Sequence, residues 1–383
     1  MSTLLAVPSI ARDTTRKSAV FILAVGLLLT ASSGLGALWV VSGSGGGDFT
    51  TIRGAVGVAG PGDTVLIRPG TYHEFVRISP GQGGLWLIGD GGPENVIIQA
   101  DTVGIGIWRA NPAVHVRGLT ITGGTNLGGL YAQEAKVEVI GCVFRDNPGP
   151  GGCQSVGGAV NAMYHSDLTI EDCVIEDNAG WEAPGGVIIW QSRADIRRNV
   201  FRGNQACYGG GLEMYHCETE LVSYIEENVF VGNSVSERGG GLFNVDSSPI
   251  VRRNTFFAND APGNAAIWVL GGRPTITENI IVGSDWGVFC QTDEQYPPSL
   301  PILDCNLFWH LRLGLAYDLA NTGRVIEADP RFCDPASGNF ALCQDSPAIS
   351  DSCGCLGALG IGCGPCLTDI LPTTWGAIKA MCR

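Results

Sequence analysis

The sequence predicts an all-β fold, a single parallel β-helix of roughly ten coils. Three observations predict it. A short apolar unit recurs every 23 to 31 residues. Glycine reaches 56 of 383 residues, without the Gly-X-Y period of collagen. No stretch of the repeat region carries a 3.6-residue apolar period, which argues against helical repeats. With only 16% charged and 45% hydrophobic residues, the chain can fill a core, and wholesale disorder is excluded.

The first element is an address. Arg12, Arg16 and Lys17 precede the apolar run AVFILAVGLLLTA at 19–31, and small residues follow from Ser32 to Ala37. A basic flank, an apolar core and a small-residue exit read as a secretory signal, residues 1–37, cleaved after Gly36 or Ala37. The alternative is an uncleaved anchor, since residues 19–41 carry no charge. The membrane is expected to matter only through that segment. Export and 14 cysteines together point to disulfides and a secreted or cell-surface location.

Residues 38–350 are the expected coil region. The units VHVRGLTI, VEVIGCVF, LTIEDCVI, DIRRNVF, YIEENVF, IVRRNTF, TITENII and ILDCNLF align between Val114 and Phe308. Alternation in a strand sends Val139, Ile170, Ile196, Ile225, Val251 and Ile276 inward as one stacked row. The next aligned column is Leu119, Cys142, Cys173, Asn199, Asn228, Asn254, Asn279 and Asn306, and a second runs Asn147, Asn178, Asn204, Asn233, Asn259. Asparagine suits such turns because it tolerates left-handed backbone and its amide can bond the next coil. Glycine pairs and triplets, GGAV and GGGL among them, permit the bend before the next strand.

On these residues the chain resembles the right-handed parallel β-helix repeat family, with the pectin-lyase-like fold. DFTTIRGAVGVAGPGDTVLIRPGTYHE at 48–74 resembles the opening module of such proteins, which implies a short capping helix near Thr51–Ala59. DPRFCDPASGNFALCQDSPAIS at 329–350 resembles their closing segment, expected here to cover the far end. Residues 351–383 add a cysteine-rich segment and a basic tail, TTWGAIKAMCR.

Fold and chemistry are separate questions on this scaffold. The resemblance extends to lyases and polygalacturonases, but the strings NTD, GHG and RIK and a DD pair are absent. The residue after each small-plus-apolar signal is expected to face out, as Trp108, Tyr131, Asn161, Ile189, Glu213, Phe243, Trp268 and Phe289. Trp108, Tyr131, Phe243 and Trp268 would form a ring platform for sugar faces. Burial of the same rings under loops is the structural alternative. Glu213, His216 and Asp246 are the candidate acid–base residues. Dense acidic pairs such as Glu171–Asp172 and Glu226–Glu227 read as solvated turns.

The net charge of −14 leaves no basic footprint for nucleic acid. A polysaccharide or cell-surface glycan is the expected partner. No cofactor or metal is expected, with calcium between turns left open. Cys353, Cys355, Cys363 and Cys366 have zinc-like spacing, and CGPC matches a redox motif, but disulfides are the preferred reading of this segment. Cys142 with Cys173, Cys207 with Cys217 and Cys153 with Cys207 are open pairings. The main reading is a non-catalytic binding module; the alternative is a polysaccharide lyase or glycoside hydrolase.

Overall fold

The structure, a computed structural model, describes residues 36–149, 156–180, 184–217, 221–259, 265–317, 323–350 and 352–366. Residues 1–35, which hold most of the expected signal, the basic tail, Cys153 and Cys382 lie outside the described residues. Three parallel sheets of 11, 10 and 11 strands wrap one core. The first sheet runs from Leu38–Val41 to Ile302–Asp304, the second from Val76–Ile78 to Gly314–Tyr317, the third from Gly70–His73 to Val325–Glu327. Each coil contributes one strand to each sheet, and every pairing among the three sheets joins consecutive coils in parallel.

The inward aliphatic row stands as expected. Val139, Ile170, Ile196, Ile225, Val251 and Ile276 pair in register and are fully buried. The third sheet adds a row of larger side chains. Phe201, Phe230 and Phe256 stack face to face with centroids 4.5 and 4.7 Å apart.

Asn199, Asn228, Asn254, Asn279 and Asn306 stack in a buried ladder. The Asn228 Oδ1 accepts from both the backbone N–H and the Nδ2 of Asn199, each at 3.0 Å, and the pattern repeats coil after coil. The Nδ2 of Asn228 also donates to the Ile196 carbonyl at 2.8 Å. The left-handed residue is not the asparagine but the one before it: Arg198, Glu227, Arg253 and Glu278 have φ of 52 to 59°. The asparagine is selected for its buried amide, which satisfies donors that a tight turn would orphan. A third ladder, invisible in the sequence alignment, uses hydroxyls: Ser166 accepts from the Ala135 N–H, Ser192 from that of Ser166, and Ser247 from that of Cys217.

The acidic pairs are not merely solvated. Glu226 is buried between Arg197 and Arg252, with the Arg252 contact at 2.8 Å, and Arg253 meets Glu227 at 2.8 Å. Charges of opposite sign alternate along the coil axis and pair across coils.

The helix Ile52–Val56 buries Ile52, Ala55 and Val56 against the first coils. Thr51 caps it, and Glu74 accepts from the N–H groups of Ile52 and Arg53 at 2.8 Å each. The closing segment departs from expectation. Its described part lies along the outer face of the third sheet, where Phe332, Phe340, Leu342, Ala348 and Leu356 pack on Val229, Phe257, Ile280 and Leu307. The Ala358 N–H donates to Thr255 Oγ1 at 3.0 Å. The cause is an outward row on that sheet that turns apolar in the later coils and needs a cover.

Disulfides join Cys305 to Cys353, Cys333 to Cys363 and Cys343 to Cys366. The quartet Cys353, Cys355, Cys363 and Cys366 is therefore split, and Cys363 and Cys366 are not bonded to each other. Cys142 and Cys173 remain buried thiols in the ladder column, the Cys142 N–H donating to the Cys173 Sγ at 3.3 Å. Cys217 is a free buried thiol, so no bridge joins it to Cys207.

Candidate functional site

The outward row of the second sheet reads Gly106, Tyr131, Asn161, Ile188, Glu213, Phe243, Trp268, Phe289 by register. Two expected members move. Ile189 is fully buried and faces the core, and Ile188 takes its place. Strand alternation requires it, since Val187 and Ile189 share the inner face. Trp108 stands two positions beyond Gly106, opposite Gln133. Its ring folds back over Gly106, where an added Cβ would lie 2.3 Å from the Trp108 Cη2 atom. Trp108 thus still meets Tyr131, with centroids 5.9 Å apart.

The row faces outward yet is covered. Tyr131, Glu213, Phe243 and Trp268 are 8, 7, 4 and 9% exposed. The cover over the later coils is a small two-stranded sheet, Gln205–Tyr208 with Ser234–Arg238. Tyr208 stacks on Phe243 at 5.6 Å. The Arg238 guanidinium lies over the rings of Tyr208 and Trp268, 5.8 and 5.7 Å from their centroids. Phe75, Leu127, Val156 and Trp190 pack on Tyr131 and Ile188 in the same way. Phe243 and Trp268 are thus an inner aromatic layer rather than an open platform.

The half-open rings are ones that the alignment did not single out. Trp190 and Tyr215 stack at 4.3 Å, two positions past Ile188 and Glu213. The segment after Gln291 reaches back so that the Tyr296 hydroxyl meets that of Tyr215 at 3.2 Å, while its ring stacks on His216. Their signal in the sequence was the recurring aromatic at the strand end, in VIIW and LEMY.

His216 and Asp246 occupy matching left-handed positions on successive coils, with φ of 47 and 42°. The His216 Nδ1 and an Asp246 Oδ2 lie 3.0 Å apart. Glu213 sits three residues before His216 and has no ion-pair or hydrogen-bond partner among the described residues. Burial alone pushes its carboxyl up to about 8, so it is protonated at neutral pH. Burial, then the Tyr296 hydroxyl, pushes the Tyr215 phenol up to about 12. Chemically, this corner offers stacking faces, a neutral carboxyl able to donate, and an imidazole oriented by a carboxylate. Among the described residues, no trio of carboxylates converges within 4.8 Å.

Fold and face together define a β-helix protein with a ring-lined, acid-bearing flank. The chain belongs to the right handed beta helix region family, whose model matches residues 76–281. No curated protein matches it. Among solved structures it is similar to a pectate lyase, at 12% identity and a TM-score of 0.50, covering 86% of this chain and 97% of that one. It is also similar to the catalytic domain of an α-1,3-glucanase in complex with nigerose, at 12% identity and a TM-score of 0.40, with coverage of 79 and 70%. A third is the Erwinia chrysanthemi pectin methylesterase PemA, at 13% identity and a TM-score of 0.34, with coverage of 77 and 94%. The likeness to the pectate lyase shows the fold.

Proposed function

We propose that this chain is an extracytoplasmic glycan-binding protein that engages sugar chains along the outer flank of its second sheet without turning them over. The observation that carries the reading is the half-open stack of Trp190 on Tyr215, with the Tyr296 hydroxyl meeting that of Tyr215. Pyranose rings present apolar C–H faces, and rigid aromatic shelves bind them at low entropic cost. Tyr131, Phe243 and Trp268 serve as the layer beneath, and Trp108 extends it toward the first coils. The similar pectate lyase acts on a polysaccharide, in keeping with a carbohydrate role. Three disulfides and the signal-like N-terminus support a location outside the cytoplasm. Among the described residues, no helix is long and apolar enough to cross a membrane.

Titration with soluble glycans tests the reading. Tyr215→Ala and Trp190→Ala are expected to weaken binding by roughly ten- to a hundredfold, the ordinary cost of losing one stacking ring. Unchanged affinity in both variants retires the shelf.

Catalysis has one specific observation in its favour: a buried Glu213 on the strand that leads to His216, whose Nδ1 lies 3.0 Å from an Asp246 carboxylate oxygen. That is the equipment of acid–base chemistry. Product assays with acidic and neutral polysaccharides decide it. Turnover by the natural chain that vanishes in Glu213→Gln, with binding kept, would establish the enzyme.

A further inference from the structure

The two disulfides at the end of the closing segment are neighbours. The strands Phe332–Asp334 and Asn339–Cys343 bring Cys333 and Cys343 together, and Ile361–Cys363 runs beside Cys343. The Cys363 Sγ lies 3.6 Å from the Cys343 Sγ, although each is bonded elsewhere. The sulfurs of Cys333, Cys343 and Cys363 are all within 4.8 Å of one another. Those of Cys343 and Cys366 lie within the same distance of an Asp345 carboxylate oxygen. Backbone bonds hold the cluster: the Cys343 N–H donates to the Arg331 carbonyl at 2.9 Å, and the Gln344 N–H to that of Gly364 at 3.3 Å.

Four thiolates bound to one tetrahedral Zn²⁺ at about 2.3 Å stand about 3.8 Å apart, and the Cys343 and Cys363 sulfurs, members of two different disulfides, already lie 3.6 Å apart. Cys363 and Cys366 have the two-residue separation that lets one turn present two ligands, and Cys333 and Cys343 approach from neighbouring strands. We propose that in the reduced chain Cys333, Cys343, Cys363 and Cys366 hold a single Zn²⁺ ion, and that the metal and the two disulfides are mutually exclusive occupants of these sulfurs. The quartet differs from the one that spacing alone suggested, because Cys353 stands beside Cys305 rather than among these sulfurs and Cys355 is exposed.

The exchange balances. Each pair of thiolates gives two electrons to a disulfide-bearing oxidant and becomes a cystine. The oxidant takes two protons from solvent and leaves as a dithiol, and the ion departs to water. Before export the closing segment is clamped by metal; after it, by covalent bonds. Both states tie the same strands, so the cover over the third sheet is kept through the change of compartment.

The test uses the full chain, reduced with a phosphine that converts each disulfide and one water into two thiols and a phosphine oxide. Co²⁺ is added without oxygen as a spectroscopic probe, followed by Zn²⁺. The expected result is one Co²⁺ per chain with sulfur-to-metal charge transfer and four-sulfur tetrahedral bands, displaced by one equivalent of Zn²⁺. Cys343→Ser with Cys366→Ser is expected to weaken binding about a hundredfold or more. Cys305→Ser with Cys353→Ser is expected to leave it unchanged, and circular dichroism monitors folding of both. The metal content of chain purified from a reducing cytosol supplies an independent reading, expected at one zinc per chain. Absence of the four-sulfur spectrum, or a spectrum that survives Cys343→Ser with Cys366→Ser, overturns the proposal. So does a cytosolic chain without zinc.

Discussion

Glu213 shows what a single side chain does on this scaffold. It faces away from the coil interior, yet Tyr208 and Phe243 pack over the same rows and leave it nearly dry. Its carboxyl is raised to about 8 by burial. The folded state then holds a proton that the unfolded state releases near the ordinary value of 4.5. Stability is therefore expected to fall as pH rises from about 4.5 to about 8, and to level off above. Glu213→Gln removes that slope. Thermal melting of both proteins across this range checks it, with the variant gaining relative stability as pH rises. Trp268 is the complementary case. The sequence marked it as an outward ring, correctly, but outward did not mean open. Trp268→Ala is expected to cost about 3–5 kcal/mol of stability, the range for a large buried ring. Its direct effect on glycan affinity is expected to be smaller than that of Tyr215→Ala. Melting and titration of the two variants side by side separate support from contact.

Among the elements, the ladders were the most legible and the turns the least. The aligned asparagines announced a stack, because identical turn positions repeat only if their side chains meet. Their mechanism was half visible. The buried amide could be inferred, whereas the left-handed residue beside it varies among Arg, Glu, Asp and Cys and leaves no common signature. The serine ladder escaped because Ser166, Ser192 and Ser247 share their column with Cys217. Asn228→Ala tests the ladder's energetic weight. It strips the acceptor from two Asn199 donors and is expected to cost about 2–4 kcal/mol, read by denaturant unfolding. The candidate site was less legible than the core. Alternation within a strand identified the outward row, but its register slipped at VGIGIW and at GGVIIW, where repeated small or aliphatic residues offer more than one phase. The covering strands at 205–208 and 234–238 lie in loops, where no period guides the reading. Tyr296 reaches Tyr215 across 81 residues, a distance that no local pattern encodes.

At the scale of the molecule, the solenoid separates its tasks by face. The first sheet carries the alternating charges, the third is covered by the closing segment, and the second bears the rings. A parallel coil stack has many non-local pairings, so each face is rigid only because its neighbours are in register. The disulfide Cys305–Cys353 ties the closing segment to the late coils, and Cys305→Ser with Cys353→Ser is expected to loosen that cover first. Proteolysis within residues 352–366, ahead of any cleavage in the coils, checks this. On the proposed reading, the flank of the second sheet is the surface that meets glycan. Hydrogen exchange read by mass spectrometry, with and without a bound oligosaccharide, tests it most directly. Slowed exchange is expected only in the segments around Trp190, residues 212–217 and residues 286–299, with the first and third sheets unchanged. Protection centred on the third sheet or the closing segment, with none around Tyr215, contradicts it.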